Sequence, residues 1–94
     1  MVKVLVKFYS HLGDLVDRKE KIEFDLTDGA TISHLLDELI LDSKIKMHIL
    51  DKAGELKSDI TFLKNGREIK FLNGLDTILD SDDEISIFPL VAGG

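Results

Sequence analysis

The sequence predicts an α+β domain in which a mixed sheet of about five strands wraps around one main helix. Three observations predict this class. Apolar residues alternate with polar residues near both ends of the chain, a helical stripe of apolar residues lies in the first half, and a tight-turn pair lies in the second half. The predicted order is strand, strand, helix, strand, strand, strand, which places a hairpin, a crossover helix and further strands on a single sheet.

The first hairpin is predicted from two alternating segments. In residues 2–9, apolar residues occupy every second position, and lysines occupy two of the positions between them. Residues 21–26 alternate again, with Ile22, Phe24 and Leu26 on the inward side. Alternation with a period of two is typical of strands that have one buried face. A polar loop over residues 10–20 joins the two predicted strands.

The main helix is predicted after Thr31, a residue type that is favoured at helix N-caps. The apolar residues that follow recur at the spacing of a core-facing helical stripe. They are Ile32, Leu35, Leu36, Leu39 and Ile40. In residues 43–59 apolar residues are mixed with lysines, so this segment fits either a short helix or an irregular connection, and it is left unassigned.

The rest of the sheet is predicted from a second hairpin and a final strand. Two short segments flank Asn65-Gly66, the preferred pair for a tight turn with positive φ. The final strand, residues 84–88, is closed by Pro89, which has no N–H to donate. The complete order is that of the ubiquitin-like β-grasp. In that fold the first and last strands are central neighbours, and the sheet face away from the helix is open to partners.

Length and composition limit the function classes. Ninety-four residues fit one domain, predicted as residues 1–90 followed by a flexible C-terminal tail, residues 91–94. The net charge of −6 argues against nucleic acid as a partner, because it repels phosphate groups. The absence of cysteine excludes disulfides, thiolate metal sites and cysteine nucleophiles. Residues 1–7 alternate apolar and basic residues, unlike a signal or membrane segment, so a cytoplasmic protein without a membrane partner is predicted.

The C-terminal residues Ala92-Gly93-Gly94 supply the candidate reactive group. Glycine has no Cβ, so such a tail can enter a channel too narrow for other residues and bring the terminal carboxylate to a reacting centre. ATP converts a carboxylate into a mixed anhydride with AMP, which a sulfur or amine nucleophile can attack. The sequence therefore predicts Gly94 as the reactive position, with ATP used by a partner enzyme and no cofactor bound by the chain itself.

An apolar patch is predicted beside the tail. The outward residues Leu5, Tyr9 and Phe88 would share one surface, and exposed apolar residues of this kind suggest docking. The alternative is that they pack under a loop or are scattered singly. The predicted partner-binding residues lie on this patch and along the tail. They are Leu5, Phe88, Pro89, Leu90, Val91, Ala92 and Gly93.

Other polar groups are interpreted as structural. His11, His34 and His48 lack the spacing of metal ligands, so no metal site is predicted. The acidic residues within 80–84 lack the pattern of a calcium loop and are interpreted as a solvated turn. No residues show the spacing of a nucleophile with its base or of a phosphate loop, so the chain is predicted to be a substrate and a subunit, not an enzyme.

Residues 82–94, Asp-Asp-Glu-Ile-Ser-Ile-Phe-Pro-Leu-Val-Ala-Gly-Gly, resemble the C-terminus of the MoaD/ThiS family of sulfur carriers. This family includes the small subunits of molybdopterin synthase. Residues 65–68 and 71–77 also resemble archaeal-type members, which are related to the ubiquitin-like small archaeal modifier proteins. The resemblance spans nearly the whole chain, and its C-terminal half is the specific part.

The resemblance implies a function for the tail. An adenylyltransferase related to ubiquitin-activating enzymes, of the MoeB/ThiF type, would adenylate Gly94 with ATP, and sulfur transfer would make a thiocarboxylate. A larger molybdopterin-synthase subunit, of the MoaE type, would use that sulfur to build the dithiolene of molybdopterin. Two alternatives stay open within the family: conjugation of Gly94 to lysines of target proteins as a ubiquitin-like modifier, and a ThiS-type role in thiazole synthesis. A further alternative is a stand-alone interaction domain with an incidental Gly-Gly.

Overall fold

The computed structural model describes residues 1–9 and 21–89. Within them the chain forms five strands and two α-helices. The strands are β1 (Val2–Phe8), β2 (Ile22–Leu26), β3 (Ile60–Lys64), β4 (Arg67–Glu68) and β5 (Glu84–Pro89), and the helices are α1 (Ile32–Leu39) and α2 (Ser43–Ile49). Two short 3-10 turns, Ile69–Phe71 and Gly74–Asp76, lie between β4 and β5.

The sheet has the order β2-β1-β5-β3-β4. β1 and β5 run parallel at its centre, whereas the other neighbouring strands are antiparallel. Parallel neighbours cannot be joined by a tight turn, so the chain completes β2, both helices and the β3–β4 hairpin before β5 enters between β1 and β3. The predicted mixed sheet with central first and last strands is confirmed.

One face of the sheet packs against α1. The inward residues of the two central strands are fully buried, and so is most of the predicted helical stripe. These residues are Val4, Val6, Ile85, Ile87, Ile32, Leu35 and Leu39. Burial of each such side chain contributes about 1.5–3 kcal/mol, so this two-layer core is the main source of stability.

The start of α1 is fixed by a reciprocal cap. Thr31 is the N-cap, as predicted, and Nδ1 of His34 accepts the N–H of Thr31 at 2.9 Å. The same Nδ1 lies 3.0 Å from Oγ1 of Thr31. A histidine therefore takes the position that glutamate or glutamine has in most capping boxes. Ile40, predicted as part of the buried stripe, stands at the C-cap.

The unassigned residues 43–59 form α2 and a hydrogen-bonded loop. The carboxylate of Asp42 caps α2 by accepting the N–H groups of Lys44 at 2.9 Å and Ile45 at 3.4 Å. Ile45 and Ile49, on one side of α2, are buried in the core. Of the two possibilities that the sequence left open, the short helix is correct for residues 43–49.

The acidic turn before β5 contains a buried carboxylate. Asp83 is only 6% exposed. Its side chain accepts Nδ2 of Asn65 and the N–H of Asp80, both at 2.8 Å, and lies 3.4 Å from Nζ of Lys64. These partners replace the water that burial removes. The interpretation of residues 80–84 as a solvated turn is therefore wrong for Asp83.

Asn65 connects the β3–β4 turn to the start of β5. Its Oδ1 accepts the N–H of Glu84 at 2.8 Å, while its Nδ2 binds Asp83. Asn65 and Gly66 have φ angles of 50° and 87°, as expected for the predicted tight turn. One side chain thus stabilises both the β3–β4 turn and the start of β5.

Substitution of Asn65 separates two contributions to stability: its side-chain hydrogen bonds and its tolerance of a positive φ angle. Asn65→Gly keeps the positive φ but removes both side-chain hydrogen bonds, so we expect the free energy of unfolding to fall by about 1–3 kcal/mol. Asn65→Ala should cost about 1 kcal/mol more, because alanine disfavours positive φ. Urea denaturation of the two variants measures both quantities. An unchanged stability of Asn65→Gly would show that the hydrogen bonds from Asn65 to Asp83 and Glu84 do not stabilise the fold.

Candidate functional site

The candidate site is the sheet face that points away from the helices. Because neighbours in register point to the same side, the β1–β5 and β3–β5 pairs bring outward residues into rows. Lys7 lies opposite Ser86, which lies opposite Leu63 on its other side. Phe88 lies opposite Thr61. β5 therefore runs along the middle of this face with a flanking strand on each side.

Two aromatic rings mark the end of β5. The rings of Tyr9 and Phe88 meet edge to face, with centroids 6.2 Å apart and planes at 83°. Tyr9 is 41% exposed, and Nζ of Lys7 lies 4.9 Å from the centroid of its ring. Edge-to-face packing and a cation over a ring hold the rings in place while leaving apolar surface in solvent. The predicted proximity of Tyr9 and Phe88 is present in the structure.

A shallow groove of about 470 Å³ lies beside this aromatic pair. Its walls are Tyr9, Leu63, Ser86, Phe88 and Pro89. Leu63 and Ser86 were not singled out from the sequence, although the alternation of β3 places Leu63 opposite in direction to the buried Phe62. The groove has the composition of a docking surface, with aromatic and aliphatic walls and two hydroxyls, those of Tyr9 and Ser86.

Leu5 and Pro89 relate to the groove in different ways. Leu5 is on the same sheet face but lies opposite Glu84, about 13 Å along the strand from Tyr9. It lines a smaller pocket with Lys21 and Glu84, whose side chains form an ion pair, and this pocket shares Tyr9 and Ser86 with the groove. Pro89 lies opposite Ile60, so its position in the strand belongs to the sheet face that packs against the helices. It nevertheless lines the end of the groove.

The end of β5 is held from both sides. The N–H of Tyr9 donates to the carbonyl of Ile87 at 3.0 Å, and Pro89 still pairs with Ile60 of β3. The predicted tail residues come directly afterwards, outside the described part of the chain. For Leu90, Val91, Ala92, Gly93 and the reactive Gly94, the predicted functions therefore stay predictions, as does the boundary between domain and tail.

Across residues 1–9 and 21–89, no three His, Asp or Glu side chains cluster closely enough to hold a metal ion. His34 is used in the cap of α1, and Nδ1 of His48 lies 2.9 Å from the carbonyl of Lys44. In the same residues, neither helix has the length and apolar character needed to cross a membrane.

A five-stranded mixed sheet with its last strand at the centre and α1 across one face defines the class of ubiquitin-like β-grasp proteins. The sequence model of the ThiS family matches residues 6–94, and the chain belongs to that family. The small archaeal modifier protein 3 of Haloferax volcanii is 36% identical over 89 residues, which cover 95% of this chain and 96% of that protein.

Two further comparisons agree with this assignment. A protein of Archaeoglobus fulgidus, provisionally named as a sulfur carrier, is 35% identical over 94 residues, covering 99% of this chain and 98% of its own. The solution structure of small archaeal modifier protein 1 from Methanosarcina acetivorans superposes with a TM-score of 0.79 at 32% identity. That superposition covers 100% of this chain and 98% of the other. The chain is thus one of a family of small ubiquitin-like carriers and modifiers.

The exposed character of the groove gives a stability test. Phe88→Ala removes a half-buried ring and its edge-to-face partner, so we expect a loss of only about 1 kcal/mol. Phe62→Ala, at a position only 1% exposed, should cost about 3–5 kcal/mol. Thermal or urea denaturation compares them. Equal losses would show that Phe88 belongs to the core and not to a surface for partners.

Proposed function

We propose that this chain is a sulfur carrier of molybdenum-cofactor biosynthesis. Its working group is the carboxylate of Gly94, which an adenylyltransferase of the MoeB/ThiF type activates with ATP. The activated group becomes a thiocarboxylate, and a molybdopterin-synthase large subunit of the MoaE type accepts its sulfur. The chain supplies the acyl group and the docking surface and is not itself the catalyst.

One observation carries this proposal. The strand that leads to Gly93-Gly94 is fixed in the centre of the sheet, and an apolar groove lies immediately before the tail. A partner that binds the groove at Phe88 lies beside Pro89, the last described residue before the tail. The name of the Archaeoglobus relative supports a sulfur-carrier function, and the Phe88-Pro89 and Ala92 pattern of the ending favours the molybdopterin branch over thiazole synthesis.

The carrier acquires its sulfur in two steps. A carboxylate oxygen of Gly94 attacks the α-phosphorus of ATP, pyrophosphate leaves, and an acyl-adenylate forms. A sulfide-level sulfur nucleophile then attacks the acyl carbon and displaces AMP, which leaves one sulfur in place of one oxygen. The absence of cysteine from the chain means that no internal thiol competes for the activated acyl group.

Intact-mass measurement tests the reaction. The chain is incubated with an adenylyltransferase of the MoeB/ThiF type, ATP and sulfide, and we expect the mass increase of one oxygen-to-sulfur exchange. Fragmentation should place the sulfur on Gly94. A chain that lacks Gly94 is the matched control and should stay unmodified. An unchanged mass of the complete chain, with an adenylyltransferase active on its own carrier, would contradict the proposal.

Groove substitutions test whether docking precedes the reaction. We expect Phe88→Ala to raise the chain's apparent KM in ATP–pyrophosphate exchange by about tenfold or more, because buried aromatic anchors dominate interfaces. The matched control is Phe71→Ala, which removes a ring that is 84% exposed and does not line the groove. Equal effects of the two substitutions would exclude the groove as the recognition surface.

A second candidate function is conjugation to proteins. It is favoured by the 36% identity to small archaeal modifier protein 3 over nearly the full length of both chains. An amine of a lysine would then displace AMP and form an amide with Gly94. Proteolysis of total cell protein followed by a search for the C-terminal remnant on lysines distinguishes the two functions, since a carrier that only donates sulfur leaves no such remnant.

A further inference from the structure

A second groove lies on the helix layer, away from the sheet face that carries Phe88. It encloses about 620 Å³ and lies between α2 and the loop that follows it. α2 contributes Ser43, Lys46 and Met47, and the loop contributes Leu50, Asp51, Lys52 and Lys57. The opposite side of α2 is fixed in the core by Ile45 and Ile49.

Hydrogen bonds hold the walls of this groove in place. Leu50 and Leu56 form a bridge, and the N–H of Lys57 donates to the carbonyl of Ile49 at 2.8 Å. The carboxylate of Asp51 accepts the N–H groups of Ala53 at 2.9 Å and Glu55 at 3.0 Å. The loop is thus closed onto the end of α2, so little ordering entropy is lost when a ligand binds.

The charge of this groove is opposite to that of the whole chain. Three lysines line it against one carboxylate, although the chain as a whole carries −6. Among residues 1–9 and 21–89, Lys46, Lys52 and Lys57 have no acidic partner within ion-pair distance. The single acidic wall residue, Asp51, is directed to the backbone of the loop.

Met47 distinguishes the groove from an ordinary solvated row of lysines. Its side chain is 69% exposed, whereas Leu50, which also lines the groove, is buried. Methionine adapts its shape to a partner's side chain, and an exposed apolar centre within a charged rim is the arrangement of a binding surface. Neither the carrier chemistry of the tail nor the groove at Phe88 uses these residues.

We propose that the groove lined by Lys46, Met47, Lys52 and Lys57 binds an acidic segment of another protein, in which carboxylates flank an apolar side chain. The carboxylates pair with the lysines, and the apolar side chain packs on Met47 and the edge of Leu50. Since the sheet face is on the other side of the core, this segment binds while a partner occupies the groove at Phe88. The proposal is independent of which reaction Gly94 undergoes.

The test uses the full chain and a short synthetic peptide in which glutamates flank a central leucine. Amide chemical shifts of the labelled chain are followed during titration, and we expect saturable changes confined to residues 43–57. Replacement of the leucine by serine should weaken binding severalfold, and replacement of the glutamates by lysines should abolish it. Added salt should weaken binding further.

Charge-matched variants make the test specific. Lys46→Glu with Lys52→Glu should lower the affinity about tenfold or more, and Met47→Ser should lower it severalfold. Lys3→Glu with Lys70→Glu changes the net charge equally at sites outside the groove and should leave the affinity nearly unchanged. All substituted positions are at the surface, and the unperturbed shifts elsewhere verify the fold.

Three results would overturn the proposal. If the two double variants weakened peptide binding equally, the peptide would be responding to the net charge of the chain and not to the groove. Shift changes centred on the sheet groove at Phe88 would place the acidic segment there instead. Shifts of residues 43–57 that depend on protein concentration without peptide would assign the groove to a second copy of this chain.

Discussion

The burial of β5 between β1 and β3 is the constraint on which the rest of the structure depends. Ile85 and Ile87 are fully buried under α1, so the strand cannot shift by one residue without moving them to the solvent face. Its entry is fixed by Asp83 and Asn65, and by the N–H of Asp82, which donates to the carbonyl of Lys3 at 2.7 Å. The same register that buries these isoleucines turns Phe88 outward and sets the position of Pro89.

The fold was predictable where periodicity and turn chemistry agree with burial. Alternation identified β1, β2 and β5, the stripe identified α1, and Asn65-Gly66 identified the β3–β4 turn. α2 was not predictable, because a seven-residue helix with two buried positions gives too short a periodic signal. Asp83 was misinterpreted for a different reason: a carboxylate is expected in solvent unless its partners are known, and Asn65 and Lys64 are distant in sequence.

The site was predictable in part for the same physical reasons. Alternation along β1 and β5 placed Tyr9 and Phe88 on one face, and the structure shows their rings in contact. The groove between them and Leu63 depends on the order of the strands and on the register of β3 against β5, which no local pattern specifies. Leu5 has the predicted face but lies at the middle of β1, in a smaller pocket beside the Lys21–Glu84 ion pair that shares Tyr9 and Ser86 with the groove.

Covalent geometry links the groove to the reaction proposed for Gly94. Gly94 follows Pro89 by five residues, so the Cα atom that bears its carboxylate lies within about 18 Å of the Cα of Pro89 in any conformation. An enzyme that acts on this carboxylate must therefore approach the groove closely. Glycines have no side chains by which one partner can be distinguished from another. In the proposed function, selection of the partner therefore rests on the side chains that precede the glycines, among them Tyr9, Leu63 and Phe88 at the end of the sheet, while the glycines provide access to the reacting centre.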